Sequence, residues 1–147
     1  MSVLKTQVAV PALINIPVVL DKRGKLSVIE GNQTIPFEIK RIFYLYDVTS
    51  GSKRGGHAHR KLQQVIIAAS GSFDVILNDG HSSSKFMLNH ANIGLYVPKM
   101  TWLKIENFSS GAVCLVLASA HYDESDYIRK FAEFKQEIKK TKAITRR

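Results

Sequence analysis

A chain of 147 residues, 45% apolar and 22% charged, is long enough to bury one substantial core and has the composition of a folded globular domain. No apolar run approaches the roughly 20 residues a membrane helix needs, and Met1 to Gln7 lack a charged leader running into a long apolar stretch, so the expectation is a cytoplasmic protein without a secretory signal. The formal charge of +9 is concentrated, with +6 between Arg129 and Arg147 and about +3 elsewhere, and no aromatic-interleaved basic stripe accompanies it; this reads as a solvated helix end rather than a nucleic-acid or membrane surface.

From Leu13 to Ala118, short runs of Val, Ile, Phe, Tyr and Leu are separated by Gly24, Gly31-Asn32, Gly51, Gly71, Asp79-Gly80 and Gly111. That rhythm predicts an all-β fold, many short strands closing as a sandwich or barrel over about residues 12–120. Ala12 to Leu20 is the first strand candidate. Phe73 to His81 contains Asp79-Gly80, which predicts a hairpin with a type I′ turn and φ > 0 at both residues. Cys114, within Ala112-Val113-Cys114-Leu115-Val116, is the sole cysteine, so an internal disulfide is excluded and a buried structural thiol is expected.

After Ala120 the period changes. Tyr127, Phe131, Phe134 and Ile138 recur at steps of three and four, predicting one amphipathic C-terminal helix over about residues 124–141. Asp123, Glu124, Ser125 and Asp126 stand where they would cap it, and Lys139, Lys140 and Lys142 lie near its end. The whole chain, residues 1–147, reads as a single domain.

Chemistry concentrates in Arg54-Gly55-Gly56-His57-Ala58-His59-Arg60. Residues two apart on a strand share a face, so His57 and His59 enter one pocket while Ala58 points away. Two same-facing imidazoles are poor core fillers and good ligands or proton-transfer groups. Isolated histidines, here His81, His90 and His121, read as ordinary hydrogen-bonded groups.

The spacing of Gly51, His57-Ala58-His59, Gln64 and Gly71 resembles the first motif of the cupin superfamily, with Gln64 standing at the position of a metal-binding glutamate. Pro98 to Asn107 resembles the second motif, with Leu103 at the position of its histidine. An amide and an alkyl group at those positions leave His57 and His59 as the remaining ligands, too few to fix a transition metal firmly. The expectation is a cupin-type β-barrel or jelly roll with no metal and no cofactor, whose histidines move protons at an ordinary pKa of about 6.5.

Asp21-Lys22-Arg23-Gly24, Lys40 to Asp47, Arg54 to His59, Gly94 to Val97 and Tyr122 to Arg129 together resemble the nucleotide-sugar 3,4-ketoisomerases, metal-free cupins acting on dTDP-4-keto-6-deoxyglucose. Arg60 departs from the lysine common there, keeping the charge. The resemblance implies exchange of the 3-hydroxyl and 4-keto groups through an enediolate, with His57 and His59 as proton-transfer groups and Tyr44 as a third catalytic residue. By its residue type alone Tyr44 reads as an aromatic barrel filler rather than a site residue. For the sugar nucleotide, Arg23, Arg41 and Arg54 are candidates for the diphosphate, Tyr96 and Trp102 for stacking on thymine or closing the sugar pocket, and Gln64 for a hydrogen bond to the sugar or a histidine. The resemblance also implies a homodimer exchanging an N-terminal strand. The competing readings are a nucleotide-sugar 3,5-epimerase, against which the His-Ala-His block argues, and a non-catalytic sugar-binding cupin.

Overall fold

The computed structural model describes residues 10–145; the first nine residues, and Arg146 and Arg147 of the basic tail, lie outside the described residues. Strands follow the glycine punctuation: β1 (Ala12–Asn15), β2 (Val18–Asp21), β3 (Gly24–Ser27), β4 (Arg41–Leu45), β5 (Arg54–His59), β6 (Gln64–Ser70), β7 (Phe73–Asn78), β8 (Ser83–Leu88), β9 (Ile93–Val97), β10 (Trp102–Glu106), β11 (Val113–Ala118) and β12 (Tyr127–Ile128), then the helix α1 (Phe131–Thr145). One five-stranded antiparallel sheet runs β1-β9-β6-β11-β4 and a second runs β12-β5-β10-β7-β8, while β2 and β3 form a separate ribbon. No described helix is long and apolar enough to cross a membrane.

The uninterrupted apolar runs arise because the first sheet buries both faces. Ile66, Ala68, Leu95, Val97, Cys114 and Val116 point inward to meet Phe73, Val75, Leu77, Leu103 and Ile105 of the second sheet. Their alternating neighbours Val65, Ile67, Tyr96 and Leu117 point outward, under a cover of Ile14, Ile16, Ile35 and Phe37. Burial pushes the Cys114 thiol up to about 12, which leaves it protonated and inert. The outer face of the second sheet is sealed by α1, through Phe134 and Ile138 against Ala58, Ile128, Met100 and Trp102.

Three local expectations change. The span Ala12 to Leu20 is two strands, interrupted at Ile16-Pro17: Ile16 N–H still bonds the Asn92 carbonyl in the β1–β9 register, but Pro17 has no N–H to continue the ladder. The Asp79-Gly80 turn is longer than type I′: Asn78 pairs with Ser83, Gly80 alone of the loop residues has positive φ, and the Asp79 carboxylate accepts from the His81 and Ser82 N–H groups. Finally, α1 begins at Phe131 rather than near residue 124. Asp123 does cap, but it caps a single 3-10 turn, Glu124–Asp126, after which Tyr127 and Ile128 pair with His59 and Ala58 as a strand.

Candidate active site

The histidine strand is set by a bulge. Ile105 pairs with Arg54 and Lys104 with Gly55, but Leu103 then pairs with His57, so Gly56 is the extra residue on β5. Opposed residues on antiparallel strands share a face, and a one-residue slip exchanges the faces. Without the bulge His57 would oppose Trp102 and point toward α1; with it, His57 opposes Leu103 and points inward. The bulge favours glycine at both positions, since φ is +86° at Gly55 and +76° at Gly56, and it needs one at Gly55, where a Cβ would lie 2.8 Å from the Leu103 carbonyl oxygen.

His57 consequently lines an interior cavity of about 100 Å³ with Gln64, Arg54, Leu103 and the rings and alkyl groups of Phe43, Leu45, Ile105 and Val116. His59 stands beside it, 5.0 Å between ring centroids and nearly perpendicular. The Tyr127 ring packs on both, 5.0 Å from His57 and 4.3 Å from His59. His59 is 5% exposed. Its Nδ1 lies 3.5 Å from Asp126 Oδ2, and neither ring nitrogen makes a hydrogen bond within the described residues.

The electrostatics favour neutral imidazoles. Burial, then the neighbouring His57 and Arg41, depress the His59 pKa to about 4 against the opposing pull of the Asp126 carboxylate. Burial, reinforced by Arg129, also lowers that of His57. Arg129 lies over the Tyr127 ring, 4.3 Å from its centroid, and is held by two hydrogen bonds to Glu124, which also accepts from the Tyr122 hydroxyl. Those bonds draw the Glu124 carboxyl down to about 2.

Arg41 belongs to the same region. On β4 it shares the inward face of Phe43 and Leu45, lies 5.7 Å from the Tyr122 ring centroid, and has a buried Nε with no hydrogen-bond partner among the described residues. Gln64 is 3% exposed on the inner face of β6. Arg54 lines both the inner cavity and an outer cleft beside Tyr44 and Tyr46.

Four candidates are placed elsewhere. Tyr44 alternates with Phe43 and Leu45, so its ring points out of the barrel, is 57% exposed and rests on Tyr46; it does not reach the cavity of its own chain. Tyr96 is buried on the outer face of the first sheet, against Phe37, and its hydroxyl donates to Gln63. Trp102 packs against Phe131 and Phe134 of α1. Arg23, 90% exposed at the tip of the β2–β3 ribbon, is paired with Asp21. In each case the strand's parity or the ribbon's position, rather than the side chain's chemistry, decides the outcome.

Conversely, Asp126 and Tyr127 reach the histidines and Arg129 lies over the Tyr127 ring, although their pattern reads as a helix start. The signal available was the resemblance of Tyr122 to Arg129 to the ketoisomerases, because a mere helix cap has no need of two tyrosines, an acid and an arginine in register. Among the described residues, no three His, Cys, Asp or Glu side chains converge as a metal site, and Gln64 and Leu103, both on the inner wall, contribute an amide and an alkyl group.

A two-sheet barrel with a paired His-x-His on its inner wall is a cupin fold. Residues 10–139 match the family described as "FdtA: WxcM-like, C-terminal". The chain is 45% identical to a TDP-4-oxo-6-deoxy-alpha-D-glucose-3,4-oxoisomerase of Aneurinibacillus thermoaerophilus, over 87% of this chain and 92% of that protein. It superposes on the WlaRB TDP-quinovose 3,4-ketoisomerase of Campylobacter jejuni with a TM-score of 0.83 and 47% identity, covering 86% of this chain and 97% of that one. A variant of the 3,4-ketoisomerase QdtA of Thermoanaerobacterium thermosaccharolyticum, in complex with TDP-4-keto-6-deoxyglucose, gives 0.87 and 41%, covering 88% and 94%. The chain belongs to the FdtA family, whose relatives here are isomerases.

Proposed function

We propose that this protein is a 3,4-ketoisomerase converting dTDP-4-keto-6-deoxy-D-glucose to a dTDP-3-keto-6-deoxyhexose. The observation that carries the reading is the pair of inward-facing imidazoles 5.0 Å apart, in a chain 45% identical to a named 3,4-oxoisomerase across most of its length. The C3 proton lies α to the C4 carbonyl and is therefore acidic. A neutral histidine takes that proton, the C3–H electron pair becomes the C3=C4 bond, and the C4 oxygen is protonated to give the enediol. Loss of the O3 proton and delivery of a proton to C4 then leave the ketone at C3 and a hydroxyl at C4. Oxidation at one carbon balances reduction at the other, so no external oxidant is needed.

His57, facing the cavity, and His59 behind it supply the proton-transfer positions, and Gln64 supplies a hydrogen bond to the sugar. Arg41 and Arg54 supply positive charge for the diphosphate. The apolar β2–β3 ribbon, with Val18, Val19, Leu20 and Leu26 exposed, supports a homodimer in which exchange of the N-terminal segment carries Arg23 to the other subunit's site. The reaction would serve deoxy-amino-sugar biosynthesis in the cytoplasm, for lipopolysaccharide or another surface glycan.

The test is incubation with dTDP-4-keto-6-deoxyglucose in deuterium oxide, followed by NMR. A carbonyl moving to C3 with deuterium at C4 is expected; one that stays at C4 while deuterium enters C5 would make the protein an epimerase and refute the proposal. His57→Asn and His59→Asn are expected to bind substrate and lose turnover, by roughly 10²-fold or more. Unchanged rates in both would indicate a binding module.

A further inference from the structure

We infer that Asp126, held in place by the Arg60 guanidinium, sets the tautomer of His59: the proton sits on Nδ1, facing the carboxylate, and Nε2 keeps the lone pair. The inference rests on the ketoisomerase reading for its catalytic consequence, but the tautomer is a property of the free protein.

Asp126 is fixed from three directions. Its Oδ1 accepts the Lys61 N–H at 2.8 Å and its Oδ2 the Leu62 N–H at 3.1 Å. Its own carbonyl accepts the Arg60 N–H at 2.9 Å. The Arg60 side chain then grips the backbone on either side, donating to the Ser125 carbonyl at 3.0 Å and the Tyr127 carbonyl at 2.9 Å. The same guanidinium donates to Glu137 on α1 through Nε and a terminal nitrogen, at 3.2 and 2.7 Å. One side chain thus joins the histidine strand, the segment carrying Asp126 and Tyr127, and the helix behind them. A planar fork with five donors can do this; a lysine ammonium, a point donor, cannot span the three directions.

The groups around the His59 ring are few. Asp126 faces Nδ1 from the C-terminal segment, His57 and Tyr127 press on the ring, and Arg41 adds positive charge from β4. A neutral imidazole carries one N–H, and the nitrogen facing a carboxylate is the one that donates. The carboxylate oxygen is 3.5 Å away, so the orientation is electrostatic in this state and shortens to a hydrogen bond when Nε2 accepts a proton and the ring becomes cationic, the role a buried carboxylate plays behind a catalytic histidine elsewhere. Asp126 and Arg60 are therefore positioning residues.

The experiment is long-range proton–nitrogen NMR of the full chain labelled with ¹⁵N-histidine at neutral pH, with His59 assigned by its loss in His59→Gln. Expected for the wild type is a protonated Nδ1 and a bare Nε2 on His59; a protonated Nε2 would overturn the inference without any variant. In Asp126→Asn the amide oxygen keeps the Lys61 N–H while the NH₂ takes the Oδ2 position, gives up the Leu62 N–H and faces His59, so the tautomer should invert, with kcat lower by roughly 10²-fold and KM little changed. Arg60→Lys keeps the carboxylate and hence the tautomer, and should lower kcat by less than Asp126→Asn does. An unchanged tautomer in Asp126→Asn would remove Asp126 from the assignment. Failure of the wild type to isomerise the sugar nucleotide would refute the proposed reaction, and the NMR result would still decide the tautomer.

Discussion

The Gly55-Gly56 bulge makes the inward direction of the histidine strand a matter of two residues, and the pair can be separated by substitution. Alanine at Gly56 meets open space and suffers only from its φ of +76°, a cost of about 1–2 kcal/mol. Alanine at Gly55 bears the same backbone penalty at φ +86°, and its Cβ would also stand 2.8 Å from the Leu103 carbonyl oxygen and 3.3 Å from the Lys104 Cα. Backbone cannot rotate away as a side chain can, so β10 and β5 must separate where Leu103 faces His57. The expected stability loss for Gly55→Ala is roughly 3–4 kcal/mol, in the range where steric and backbone effects combine, against about 1–2 kcal/mol for Gly56→Ala.

The activity should split in the same order, because a shift of about 1 Å in a reacting group costs on the order of 10²-fold. Gly55→Ala should therefore lose kcat by about that factor even where it remains folded, and Gly56→Ala should retain most of it. Urea unfolding with linear extrapolation gives the stability difference, and isomerisation followed by NMR at saturating substrate gives kcat. Equal stability and equal turnover in the two variants would refute the argument that the bulge aims His57.

His59 should make stability pH-dependent in a definite window. With its folded pKa at about 4 and an unfolded value of about 6.5, the unfolded chain binds the extra proton between these limits, so stability is fully present above about pH 6.5 and is lost as pH falls toward 4, by about 3 kcal/mol; His59→Asn should flatten that slope in denaturant titrations. Phe134, fully buried under the second sheet, should cost about 3–5 kcal/mol as Phe134→Ala, lowering Tm by roughly 10 °C or more, measurable by calorimetry. Arg41→Gln should raise KM by about tenfold or more with a smaller change in kcat, since the proposed diphosphate contact would lose its charged donor; steady-state kinetics checks it, and an unchanged KM would remove Arg41 from the proposed substrate site.

Much of the architecture was readable because glycine and apolar patterning act locally. The turn positions at Gly24, Gly51, Gly71, Gly80 and Gly111 all adopt positive φ, and each separates the strands its neighbours form. The helix start was misread because Tyr127 and Phe131 stand four apart, which fits a helix, while the decisive interactions come from distant residues: Arg60 takes the Ser125 and Tyr127 carbonyls and β5 takes Tyr127 and Ile128 as a strand. Strand parity was the other hidden quantity. Ile42-Phe43-Tyr44-Leu45 is apolar at every position, so alternation could not say which of Phe43 and Tyr44 looks inward; the register of β4 on β11, with Tyr44 opposite Leu115 and Phe43 opposite Val116, decides it.

The same parity explains why the histidines were legible when the aromatics were not. Two histidines at i and i+2 share a face whichever register the strand adopts, so their union is a local property of the chain. Tyr44, Tyr96 and Trp102 each needed an absolute direction, which tertiary pairing alone supplies. What the pairing adds to His57 and His59 is the inward sense, through one extra residue at Gly56. The site thus depends on sequence for its groups and on a bulge for their aim, so under the proposed reaction loss of Gly55 should impair turnover without touching either imidazole.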